Sequence, residues 1–141
     1  LYFLNVRSIY YDREVRSDAG MTLFRHSKRM QSDSLPSFDP VIILNPIKDD
    51  GYIFFELQHL EYPVSLQASS DQDSLSIEFS NGNNQDHLKL MNQLKPWIEA
   101  NYQIVLKKGN QSFPLWSTEE EKEVFKTIAE DYFRLINQAH N

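Results

Sequence analysis

The chain has 141 residues, enough for one domain with a sizeable core and no need of covalent staples. It contains no cysteine, which excludes disulfides, thiolate metal sites and a cysteine nucleophile but does not fix the compartment. The net charge is -6, apolar residues make up 40% and aromatics 13%, and no apolar run reaches the ~18–20 residues that span a bilayer.

Residues 1–11, LYFLNVRSIYY, are rich in β-branched and aromatic types and read as strand; LYFL alone also fits the interfacial end of a membrane anchor. DREVRSDAG, 12–20, is polar, ends in Gly and reads as a turn or irregular link, after which MTLFRH, 21–26, resumes strand character. QSDSLPSFDP, 31–40, concentrates Ser, Asp and Pro and predicts a loop. The apolar run VIIL and the segment YIFFELQ flank Asp49-Asp50-Gly51, which predicts a hairpin of 41–48 with 52–59 turning at Asp-Gly. A second hairpin follows, with Val64, Leu66 and Ala68 on one face and Leu75, Ile77 and Phe79 on the matching one.

The period then changes. Leu88, Met91, Leu94 and Ile98, with Leu90 and Trp97 beside them, fall at helical spacing, with Asn83 or Asn84 as cap and Pro96 as a kink or break. YQIVLKKGNQSFPLW, 102–116, alternates again and turns at Gly109-Asn110, with Pro114 confining the second arm to an edge or a strand end. In 117–138, Ser117 with Glu120 and Thr118 with Glu121 match the capping box, and Val124, Phe125, Ile128, Tyr132, Leu135 and Ile136 form an apolar stripe. The expected fold is therefore α+β, one domain over 1–141. It has a mainly antiparallel sheet of about 6–8 strands and two helices, about 84–100 and 118–138, on one face; 1–30 is a basic strand region and 31–40 a loop.

No catalytic signature stands out. His26, His59, His87 and His140 lie far apart in no metal-binding pattern, and Asp49-Asp50 and Asp71 with Asp73 sit in turns, where Asp is favoured. The four glycines are scattered, which excludes a glycine-rich phosphate loop. No cofactor or metal is expected. The unusual feature is charge: residues 1–30 carry +3 and residues 31–141 carry −9, and five of the six arginines lie in the first part. GMTLFRHSKRM, 20–30, supplies the candidate binding residues Arg25, His26, Lys28 and Arg29, joined by Arg16. On a continued strand Arg25, Ser27 and Arg29 share one side. The bland reading of this ladder is a solvated strand ion-paired with the acidic body. The functional one is a docking side for a protein or an anionic surface, while an acidic chain disfavours nucleic acid. The expectation is a non-enzymatic binding or assembly domain, in the extracytoplasmic part of a bacterial envelope protein, periplasmic or extracellular. A membrane anchor preceding the chain and a cytoplasmic location both stay open. The alternative is a small hydrolase or ligand-binding enzyme whose His, Asp and Arg residues converge from distant positions.

Overall fold

The computed structural model describes residues 2–45, 47, 48 and 50–139. The fold is α+β, and hydrogen bonding divides its eight antiparallel strands into two sheets of four. Sheet A runs in spatial order β1 (Tyr11–Arg16), β2 (Met21–His26), β3 (Ser37–Asn45), β4 (Asp50–Gln58). Sheet B has the order β6 (Ser74–Phe79), β5 (Val64–Ser69), β7 (Gln103–Lys108), β8 (Gln111–Leu115). Helix α1 (Asn84–Glu99) connects β6 to β7, and α2 (Glu119–Ala139) follows β8.

The N-terminal strand expected over 1–11 is not there. Phe3–Arg7 form a π turn, Ser8–Tyr10 a 3₁₀ turn, and only Tyr11 enters β1; Leu1 lies outside the described residues. Long-range contacts override the local β-propensity. Phe3 is buried against Tyr11 and Phe24, with ring centroids 5.3 and 5.1 Å away. Arg7 Nε donates to Asp131 of α2 at 2.9 Å. The segment DREVR, expected as a link, is instead most of β1, paired from Tyr11↔His26 to Arg16↔Met21. Its charges suit an edge strand, since they discourage pairing with another chain.

The expected loop 31–40 ends early, because Ser37 already pairs with Gln58. Pro40 is tolerated inside β3 because β2 reaches only Ile42–Leu44, so β3 has a single neighbour at Pro40. The Asp-Gly turn is also displaced. Asp50 and Gly51 are laddered opposite Asn45 and Leu44, and the connection is closed by Asn45 Oδ1, which accepts from the N–H groups of Ile47 and Lys48 at 3.2 Å. Asp49 lies outside the described residues. Gly51 serves packing: a Cβ there would meet Leu135 Cδ2 at 3.2 Å, so glycine lets α2 lie close to β4.

The helices match their patterns. Asn83 and Asp86 form a reciprocal capping box on α1, which runs unbroken through Pro96. Thr118 Oγ1 accepts from the Glu121 N–H at 3.1 Å, while Glu121 Oε2 accepts from the Ser117 N–H at 3.0 Å. Val124, Phe125, Ile128, Tyr132 and Leu135 are buried, with Ala129 between them. Helix α2 covers one face of sheet A, with Phe125 6.4 Å from Phe55. Helix α1 buries Leu90, Met91, Leu94 and Ile98. Sheet B adds Val64, Leu66, Ala68, Ile104 and Leu106 to the same core, and Phe38 of sheet A reaches Phe79 of sheet B at 6.1 Å.

His87 of α1 is buried among these rings and closes the free edge of β4. Its Nδ1 accepts from the Phe55 N–H at 2.9 Å, so Nε2 carries the proton and donates to Asn81 Oδ1 at 2.8 Å. Burial lowers its pKa, opposed by Asp86. The unfolded chain therefore takes up this proton more readily, and stability is full above the ordinary histidine pKa and lost as pH falls below it. Phe125→Ala or Ile128→Ala is expected to lower unfolding free energy by about 2–5 kcal/mol in urea titrations; a loss near zero would show that the stripe bears no load. His87→Leu is expected to cost about 1–3 kcal/mol at pH 8 by orphaning the Phe55 N–H. It should also reduce the fall in stability below about pH 6.5, as followed by melts across pH 4–8.

Candidate functional site

The five expected binding residues lie near one another but in three settings. Strand β2 ends at His26, so Ser27–Arg29 turn away and the one-sided ladder of Arg25, Ser27 and Arg29 does not form. Arg25 lies on the face of sheet A opposite α2. Its guanidinium reaches across β3 to Glu56 of β4, with Nε to Oε1 at 2.9 Å and Nη2 to Oε2 at 2.7 Å, and a third bond joins Nη1 to Glu14 Oε1 at 2.7 Å. Arg16 takes the other oxygen of Glu14 at 2.6 Å. These two arginines hold the exposed Glu14 carboxyl below its usual range, Arg16 contributing most. Arg29 bonds Asp12 at 2.8 Å and the carbonyl of His26 at 2.9 Å.

His26 is buried against Tyr11, its ring centroid 5.1 Å away, and its Nδ1 accepts from the Lys28 N–H at 3.1 Å. Burial lowers its pKa, so it is a neutral structural histidine rather than a poised base. Lys28 is exposed. The candidate arginines thus form an internal charge frame, each with a carboxylate at hydrogen-bond distance. Arg7 belongs to a second frame, in which buried Asp131 accepts from Arg7 Nε at 2.9 Å and from the Tyr11 hydroxyl at 2.7 Å.

Asp39 escaped the sequence reading. It stands in β3 opposite Glu56, in a crevice lined also by Arg29, Met30, Trp116 and Glu121. The crevice holds about 20 Å³, room for a single water. Burial pushes the Asp39 carboxyl up to about 7; Arg29 opposes this, while Glu56 and Glu121 add to it. None of the described side chains donates a hydrogen bond to it. Trp116, which walls the crevice, holds φ at +48°, a region that bulky residues rarely enter. Only the β3–β4 register could have flagged Asp39, since FDP by itself is indistinguishable from a turn sequence.

A third feature is apolar. Tyr2, Leu4, Val6, Ile9 and Tyr10 are exposed along the N-terminal helical turns, and Val15 is 64% exposed on β1. The guanidinium of Arg134 lies 5.0 Å from the Tyr2 ring and that of Arg7 lies 4.6 Å from the Tyr10 ring, which orders both tyrosines.

Among the described residues, no three His, Asp or Glu side chains stand where they would share a metal ion. His140 lies outside those residues. No protein-family model, curated protein or solved structure matches the chain.

Because its folded pKa of about 7 lies above the ordinary 3.8, Asp39 lowers stability most above pH 7, and the penalty is relieved as pH falls toward 4. Asp39→Asn is expected to melt higher than the wild type at pH 8, the difference shrinking steadily down to pH 4. An equal difference at both ends of that range would mean that Asp39 is solvated and unperturbed.

Proposed function

We propose that the chain is a non-enzymatic docking or assembly domain whose N-terminal region faces a protein partner. One observation carries this reading. Of the ten large apolar side chains exposed among the described residues, six fall between Tyr2 and Val15. Single exposed apolar residues are ordinary, but their concentration in one segment marks a contact surface. The segment is also held in shape, since Phe3 is in the core and Arg7 is tied to Asp131. Such a surface loses little conformational entropy when a partner covers it.

The paired arginines favour a protein over an anionic surface. Arg7, Arg16, Arg25 and Arg29 each face a carboxylate at 2.6–2.9 Å, so their attraction for an outside anion is largely cancelled. The basic residues then serve as the frame on which the apolar segment is mounted. An extracytoplasmic setting belongs to the same proposal and is compatible with the absence of cysteine. The enzymatic alternative needs His, Asp and Arg side chains converging from distant positions on one cavity; where Asp39 meets Arg29 and Glu121, the crevice of about 20 Å³ has room for a water.

A photo-crosslinking side chain at Ile9 is expected to trap a discrete protein in the native cell, whereas one at Lys95 on α1 does not. Adding Val15→Asp should cut the Ile9 adduct by roughly tenfold while the melting temperature stays within a few degrees of the wild type. The same adducts from both positions, or adducts to lipid alone, would refute the docking surface.

A further inference from the structure

The two sheets leave different edges open. Strand β1 carries Asp12, Arg13, Glu14 and Arg16, and β8 carries Pro114, all of which discourage strand pairing. The edge of β4 is closed by His87, whose Nδ1 takes the Phe55 N–H. Strand β6, SLSIEF, is the least protected. Its only charge is Glu78, it contains no proline, and Leu75 is 45% exposed.

The backbone of β6 is set for a further strand. The Ser70 N–H bonds the Asp73 carbonyl at 2.8 Å, so with Ser69 opposite Ser74 the hydrogen-bonded pairs of β5 and β6 are Ala68 with Leu75, Leu66 with Ile77 and Val64 with Phe79. The N–H and C=O groups of Ser74, Ser76 and Glu78 therefore point away from β5. Beside this edge a groove of about 340 Å³ runs between β6 and α1, lined by Ile77, Phe79, Leu90, Asp86, Lys89 and Gln93.

We propose that this edge pairs with the same edge of a second copy of the chain, antiparallel, about a two-fold axis at Ile77. The register is self-complementary. Ile77 stands opposite Ile77 of the second copy, Leu75 opposite Phe79, and Ser76 opposite Glu78. All three apolar residues then lie on one face, toward the groove, and no two like charges stand opposite each other. The outward-facing Ser76 and Glu78 are also the residues whose backbone groups this register needs, which an off-centre register by one residue would not satisfy. The result is a continuous eight-stranded sheet formed from two four-stranded ones, closed by two-fold symmetry so that it does not propagate. A six-residue strand buries less than a standard interface, so the dimer is weak, on the order of micromolar in Kd. This surface is separate from the N-terminal docking segment.

Sedimentation equilibrium of the whole chain over a range of micromolar concentrations tests the pairing. A concentration-dependent dimer is expected. Ser76→Pro removes an outward N–H without touching the β5 ladder, and Ile77→Lys sets two cations against each other on the axis; each should weaken association by roughly tenfold or more. Far-UV circular dichroism and melting check that both variants stay folded, and either folded variant suffices. A wild type that remains monomeric, or a dimer untouched by both substitutions, overturns the proposal. So does a monomer that binds an unrelated peptide of alternating apolar residues, since the edge would then capture foreign strands instead.

Discussion

Everything in this fold converges on the backbone and ring of Phe55. Strand β4 ends sheet A, and an uncovered end strand would leave a row of unpaired donors and acceptors. At Phe55 both groups are satisfied by side chains from elsewhere: the N–H by His87 of α1 and the C=O by the Tyr62 hydroxyl at 3.2 Å. The ring stacks on Phe38 at 5.0 Å and reaches Phe125 of α2. One residue thereby fixes the distance of both helices from sheet A. Sheet B follows, because Phe79 packs against both Tyr62 and His87, with ring centroids 5.8 and 5.0 Å away. The two-sheet arrangement is thus a consequence of closing the β4 edge with a helix rather than with a fifth strand.

The same logic of satisfaction governs the charges. A surplus of arginine in a short segment invites an anionic partner, but the geometry provides a nearer one. Arg25 arches over β3 to reach Glu56, and Glu14 bridges Arg25 to Arg16, so one carboxylate serves two guanidinium groups. Bidentate pairing of a half-buried arginine is among the stronger arrangements available to surface charge, whereas isolated exposed pairs contribute little. Two of these pairs, Arg25 with Glu56 and Arg7 with Asp131, tie the basic segment to the acidic remainder, while those with Asp12 and Glu14 lie within the segment and join β1 to β2 and the turn after it.

What the sequence made legible was whatever rests on periodicity and capping. Leu66 and Ala68, Phe125 and Ile128, and the Asn83–Asp86 box all act within one element, and all sit where their spacing puts them. The α+β class and the hairpins turning at 70–73 and at Gly109-Asn110 follow from the same signals. What failed was whatever depends on distant partners. LYFLNVRSIYY has strand composition, yet Phe3 and Arg7 are held by Phe24 and by Asp131, 124 positions from Arg7, and a local reading has no access to either. Gly51 looked like a turn glycine and is a contact glycine. The candidate site divides likewise: the arginines were visible as composition, their carboxylates were not, and Asp39 is unusual only because it is desolvated in a crevice walled by residues as distant as Trp116 and Glu121.

Asp39 and the two buried histidines titrate in opposite senses. His26 and His87 have lowered pKa values, so acidification favours the unfolded chain through them. Asp39 has a raised one, so acidification favours the folded chain through it. Between about pH 4 and 6.5 these tendencies oppose each other. The crevice beside Trp116 nonetheless changes charge near neutrality. A carboxylate that no described side chain donates to, kept between Arg29 and Glu121, serves no packing purpose that asparagine would not serve as well. Arg29, which bonds Asp12 of β1, joins this crevice to the charged frame of β1 and β2.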